Sequence, residues 1–174
     1  MKDAFETFAQ DLQARIFAET RREWGVNAYE RWRTPRFMGA MPDADGSACL
    51  RGSCGDQMQI FLKFDGQRVA RATFETDGCG PSVVCGSFAA ELAHGKTPEA
   101  LFDITGETIL AAVGGLPPDH QHCAFLAAET LQAAANDYLM RQARKNKTAT
   151  GLNQSHLNEH QPAAWSAQEG FCSH

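Results

Sequence analysis

No run of apolar residues in this chain is long enough to cross a bilayer. Basic residues are not in excess: Lys and Arg total 16 against 21 Asp and Glu, for a net charge of −5. A general attraction to nucleic acid or to an anionic membrane is therefore not expected. The N-terminus, MKDAFETFAQDLQARIF, lacks the uninterrupted apolar segment of a secretion signal, so a cytoplasmic protein is expected. Internal repeats and low-complexity tracts are also missing. What is present is ordinary for a globular chain: 174 residues, 43% hydrophobic and 21% charged. That suffices for one domain with its own core and an appendage.

Six cysteines stand out, at Cys49, Cys54, Cys79, Cys85, Cys123 and Cys172. In a secreted mini-protein an even count would read as a disulfide framework. A larger chain with no leader belongs in a compartment where thiols stay reduced, and metal or sulfur chemistry becomes the better functional reading. The competing reading is structural, because free cysteine is often a small buried apolar side chain.

Hydrophobic spacing gives the organisation. Residues 3–22 carry Phe5, Phe8, Leu12 and Ile16 on one helical stripe, a pattern expected to pack. A short helix over 25–33 is expected to stop before Pro35, followed by a loop over 34–47. The period then becomes two. Met58, Ile60, Leu62 and Phe64 alternate with polar neighbours, Asp65-Gly66 is a hairpin signal, and RVARATFE supplies the return strand. Cys49 to Arg51 is read as a third, edge strand. The rest is helical. Pro81 suits a first helical position, with Val84, Phe88 and Leu92 as the stripe and Gly95 at the end. Thr97-Pro98-Glu99 reads as a further helix start, and Thr105 as the cap of a short helix ending at Gly114-Gly115. Asp119 is expected to cap a long helix to about residue 145, with Cys123, Leu126, Ala127, Thr130, Leu131, Ala134 and Tyr138 inward. The fold class is α+β, a small antiparallel three-stranded sheet packed against helices. Three regions are expected: an N-terminal helical extension and loop over 1–44, a core over 45–145, and a polar tail over 146–174.

Three thiols fall at element ends. Cys54 lies in a loop before the first clear strand, Cys79 between the last strand and a helix, and Cys123 in the first turn of the last helix. The sketch allows all three to meet at one end of the sheet. A helix N-terminus favours the thiolate, and the glycines at 55, 78 and 80 let backbone approach a bulky inorganic centre. Cys85 sits within a helix stripe and reads as packing, Cys49 as strand or loop, and Cys172 as incidental to the tail. His120 reads as a surface residue. Arg141, Arg144, Lys145 and Lys147 suit the negative end of the last helix and offer a docking surface.

CGD at 54–56, GCG at 78–80 and LPP followed by His122-Cys123, in that order and spacing, resemble the IscU/NifU-type iron–sulfur cluster assembly scaffold. LAAETLQAAANDY (126–138) is similar to that family's last core helix, and the resemblance spans roughly residues 29–143. It implies a ligand set of Cys54, Asp56, Cys79, His122 and Cys123, three thiols with either Asp56 or His122 as the fourth donor. It implies a transient [2Fe–2S] cluster, iron, and zinc in the isolated protein. The implied partners are a cysteine desulfurase, apo iron–sulfur acceptor proteins, and electron and iron donors such as a ferredoxin or a frataxin-like protein. Cys123 is the first candidate for sulfur acceptor and Cys54 its rival. A mixed ligand shell should hold a cluster less firmly than four thiolates, which suits a protein that hands its cluster on. Many members follow LPP with Val-Lys, read by a dedicated Hsp70-type chaperone; Asp119-His120 follow here, a departure from that docking motif. The N-terminal helix is longer than usual for the family, and the chain is expected to be a monomer or weak homodimer. The role implied is a non-catalytic scaffold. The alternative is a zinc-bound sulfurtransferase that takes persulfide sulfur from the desulfurase.

Overall fold

The computed structural model describes residues 3–149. Helix α1 (Ala4–Arg33) leads into three strands, β1 (Gly46–Arg51), β2 (Gln57–Asp65) and β3 (Arg68–Thr76). Helices α2 (Gly80–Ala93), α3 (Gly106–Val113) and α4 (His122–Ala149) follow. The sheet is antiparallel in the order β1-β2-β3, with Ala48 opposite Ile60 and Ile60 opposite Phe74. The alternation in β2 is realised: Met58, Ile60 and Leu62 are fully buried, and Gly66 turns the hairpin at φ 58°. Edge strand β1 starts earlier than the expected Cys49, at Gly46. There a Cβ would lie 2.6 Å from the Ala134 carbonyl oxygen, so only glycine lets α4 come so close.

Helix α4 lies along β1 and β2, α2 lies along β3, and the two helices pack on one another. Every residue of the stripe expected on α4, from Cys123 to Tyr138, is buried. Phe74, near the C-terminal end of β3, is fully buried, and a Cβ on Gly86 of α2 would run into its ring. Its backbone also holds the preceding loop, accepting from Gly39 N–H at 2.8 Å and donating to the Phe37 carbonyl at 3.0 Å. Cys85 of α2 is core, as its stripe position suggests, and burial pushes its thiol pKa up. Thr105 caps α3, accepting from Thr108 N–H at 3.3 Å, and Gly114 ends that helix in the left-handed region.

Four expectations need correction. First, although the two expected N-terminal helices are present, separated by the non-helical Gly25 (φ 78°, ψ 169°), the apolar stripe of the first does not pack. Phe5 and Phe8 are 74% and 64% exposed, and Leu12 and Ile16 also face solvent. Periodicity marks an apolar face but cannot say what covers it. The contacts that seat α1 come later. Phe17 meets Tyr29 and Trp32 edge-on, and Trp24 meets Trp32 at 5.6 Å. The buried Arg31 pairs with Glu91, donates to Ser87 Oγ at 3.1 Å and lies 4.0 Å over the Phe88 ring. Second, Thr97-Pro98-Glu99 opens only a single 3-10 turn, Glu99–Leu101. Third, Asp119 does not cap α4. It lies in the 3-10 turn Pro118–His120, where His120 N–H donates to the Pro117 carbonyl at 2.9 Å, and the α-helix begins at His122. Fourth, α4 continues past the expected end near 145, to Ala149. The rest of the expected tail and Cys172 lie outside the described residues. Among the described residues no helix is long and apolar enough to cross a membrane.

Candidate metal centre

The register fixes where the thiols go. Cys54 occupies the turn between β1 and β2, closed by Gly52 N–H to the Asp56 carbonyl at 2.8 Å and by Gly55 at φ 94°. Residues 77–79 leave β3 at the same end of the sheet, because Met58 pairs with Thr76 and the Asp77 carboxylate accepts from Gln57 N–H at 2.6 Å. The N-terminus of α4 packs into the angle between them. Segments far apart in sequence therefore deliver their side chains to one place.

Asp56, Cys79 and Cys123 meet there, their ligand atoms all within 4.8 Å of one another. Cys79 is exposed and is the N-cap residue of α2, Asp56 is half-buried, and Cys123 is fully buried. Gly78 is required by this crowding: a Cβ there would strike the Asp56 carboxylate and come within 2.8 Å of Ser82 Cβ. His122 brings Nε2 to 3.5 Å from Cys123 Sγ. Cys54 stands exposed at the hairpin tip, and its thiol hydrogen-bonds toward Asp56. All five expected residues thus come to one end of the sheet, with Asp56, Cys79 and Cys123 as the tight inner group. Two soft sulfurs and a carboxylate within reach of one another are donors that zinc and iron accept, and either neighbour, Cys54 or His122, would bring their number to four.

The electrostatics differ from the sequence expectation in one respect. Position at a helix N-terminus favours thiolate, but burial dominates at Cys123 and its pKa is pushed up to about 12. A hydrogen bond with Ser82 offsets this in part, while the neighbouring thiols Cys79 and Cys54 raise it further. In the metal-free protein Cys123 is therefore a neutral thiol, and a bound cation must displace its proton. Asp56 is shifted the other way. The Ser82 hydroxyl holds its carboxyl below the usual range, helped by Cys79 N–H and by the Cys79 and Cys54 thiols, against the opposing effect of burial.

Ser82 is the residue the sequence did not reveal. It is fully buried, with its hydroxyl 2.8 Å from Asp56 Oδ2, 3.4 Å from Cys123 Sγ and 3.7 Å from Cys79 Sγ. The available signal was its spacing, three residues past Cys79 and so on the same face of the helix start. The flanking glycines also serve differently from expectation. Space beside Gly80 is filled by Trp24, whose ring atom would lie 2.7 Å from a Cβ there, and by Trp32. His120 joins this wall, half-buried with its ring 6.2 Å from that of Trp24.

The family model described as the NifU-like N terminal domain matches residues 25–145. The iron–sulfur cluster assembly scaffold protein IscU 1 of Archaeoglobus fulgidus is 36% identical over 120 residues, covering 68% of this chain and 78% of that protein. The scaffold protein IscU of Aquifex aeolicus is 34% identical over 125 residues, covering 70% and 80%. Among solved structures, the N-terminal NifU-like protein of Brucella abortus superposes with a TM-score of 0.55 at 15% identity, over 69% of this chain and 96% of that one. A scaffold protein for the SUF system from Fervidobacterium islandicum gives 0.55 at 20% identity, over 67% and 98%. At these identities the two structures speak for the fold alone.

Proposed function

This chain belongs to the family of NifU-like N-terminal domains, and from that premise we propose that it builds a labile [2Fe–2S] cluster at the Asp56–Cys79–Cys123 centre and passes it on. It is a scaffold for iron–sulfur cluster assembly and not an enzyme: the cluster is its cargo. Three cysteines, Cys54, Cys79 and Cys123, supply the thiolates, and Asp56 or His122 supplies the remaining donor. The observation that carries this reading is the meeting of two thiols and a carboxylate within 4.8 Å.

The chemistry divides among the residues by exposure. Cys54, exposed at a hairpin tip, is the thiol a cysteine desulfurase can reach. Its thiolate attacks the outer sulfur of the desulfurase persulfide, the S–S bond breaks, and the desulfurase cysteine leaves as thiolate. The new persulfide on Cys54 needs two electrons to release sulfide, and a ferredoxin-type donor supplies them. Cys123, buried, keeps the inner side of the cluster from water, while the exposed Cys79 leaves the outer side open to an acceptor protein. The basic end of α4, with Arg141, Arg144 and Lys145, offers a docking surface for a partner. The working compartment proposed is the cytoplasm.

Zinc suits the same donors, so the sulfurtransferase reading is tested directly. Protein loaded with zinc alone should fail to turn over desulfurase sulfur, whereas iron, sulfide and reductant without oxygen should produce a broad visible absorption. Sustained sulfur turnover by the zinc form, with no absorption on iron loading, would replace the scaffold with a sulfurtransferase.

A further inference from the structure

We infer that Ser82 is the positioning residue that makes Asp56, and not His122, the fourth ligand of this centre. The inference rests on the reading of the site as a metal and cluster centre, and it settles a choice the ligand set leaves open. Asp56 comes from the hairpin between β1 and β2, a turn whose tip is exposed. A side chain on such a turn is not by itself fixed to within the fraction of an ångström that coordination demands. Two hydrogen bonds fix this one, from the Ser82 hydroxyl at 2.8 Å and from Cys79 N–H at 3.2 Å. Both fall on Oδ2, which pins that oxygen between α2 and the hairpin. Gly78 closes the remaining space behind it.

His122 has a weaker hold. Among the described residues its one hydrogen-bond contact is Cys123 Sγ at 3.5 Å, and sulfur is a weak partner. Its Nε2 lies outside the group whose ligand atoms all fall within 4.8 Å of one another. Asp56 already lies within the inner group.

Ser82 also lies 3.4 Å from Cys123 Sγ. One hydroxyl carries one proton, so it donates to the carboxylate or to the sulfur, not to both. The contact to the carboxylate, at 2.8 Å, has ordinary O–H···O length, and it is the one that holds Asp56 in place. An alanine at 82 keeps the helix and loses both bonds. The hydrogen bond that does most to hold the Asp56 carboxyl below its usual range is this one, which agrees with the geometry.

The test uses the full chain loaded with cadmium or zinc and reads the donor set, not assembly activity. In the wild type, the cadmium NMR shift should report sulfur with oxygen, and nitrogen-labelled histidine should show the ring of His122 free of metal. In Ser82→Ala, the His122 nitrogen should move to a metal-bound shift and metal affinity should fall about tenfold, the lower end of what lost outer hydrogen bonds cost a metal site. Adding His122→Ala should cost more metal affinity in the Ser82→Ala background than in the wild type. Ser82→Thr, which keeps the hydroxyl, should restore the oxygen donor; where its extra methyl unfolds the protein, the histidine double variant decides. An unchanged donor set in Ser82→Ala, or metal-bound His122 in the wild type, overturns the assignment to Ser82 and leaves the scaffold reading standing. A wild type that takes up no metal at the three cysteines overturns both.

Discussion

Alanine at Cys79 should leave the protein folded and abolish cluster binding. Cys79 is exposed and its side chain packs little, so its loss should cost less than about 0.5 kcal/mol of stability. Its sulfur is nevertheless one of the three inner ligand atoms. Losing a thiolate from that group should exceed the 10–100-fold affinity loss typical of outer-sphere changes, and the visible absorption after anaerobic iron and sulfide loading should vanish. Alanine at Cys54 or Cys123 should do the same, with about 1 kcal/mol of destabilisation at the buried Cys123 for the small void it leaves. Cys85 is the control. It is equally buried and close enough to interact with Cys79 and Cys123, yet it lies in the core packing of α2. Cys85→Ala should lose comparable stability to Cys123→Ala and keep the cluster. An absorption spectrum that survives Cys79→Ala, or that disappears with Cys85→Ala in folded protein, would move the centre elsewhere.

The largest effect on stability belongs to Phe74→Ala. Among the described residues Phe74 is the bulkiest fully buried side chain, near the C-terminal end of β3 and pressed against the bare backbone of Gly86. Truncating such a ring removes its transfer free energy and leaves a cavity, about 3–5 kcal/mol in total. Native domains hold only about 5–15 kcal/mol, so the variant should unfold at a much lower urea concentration with an unchanged m-value. A second consequence is specific to the close contact. Gly86→Ala should be costly in the wild type, where the methyl meets the ring, and much less costly in the Phe74→Ala background. A loss below about 1 kcal/mol for Phe74→Ala would mean that α2 and β3 do not pack as described, since buried Phe truncations cost several times that.

How much of this was legible in the sequence depends on how local the signal is. The inward stripe of α4 and the alternation of β2 could be read directly, because each repeats the period of its own element over many residues. The Thr105 cap and the Asp65-Gly66 turn were legible for the same reason. Their chemistry is complete within four residues. The stripe from Phe5 to Ile16 was equally periodic and misled, since a period reveals a face and not its partner. The Asp119 cap failed because two prolines set up a 3-10 turn that spends its hydrogen bonds before the α-helix begins. At the centre, positions at element ends pointed to the three cysteines, while Asp56 and His122 came from the resemblance to the scaffold family. Two features remained hidden because they are properties of the packed state. One is Ser82, an ordinary serine until helix α2 turns it between Asp56 and Cys123. The other is the protonation of Cys123, where position along the helix argues for thiolate and burial argues more strongly for thiol.

A scaffold of the proposed kind holds its cluster loosely at Cys54, Cys79 and Cys123 so that it can be given away. The direct measurement mixes anaerobically loaded protein with an apo ferredoxin and follows both spectra. The absorption should move to the ferredoxin, and the donor should end as intact, cluster-free protein ready for another loading. A cluster that stays in place under a large excess of apo acceptor, or that reaches the acceptor only after breaking down to free iron and sulfide, would contradict it.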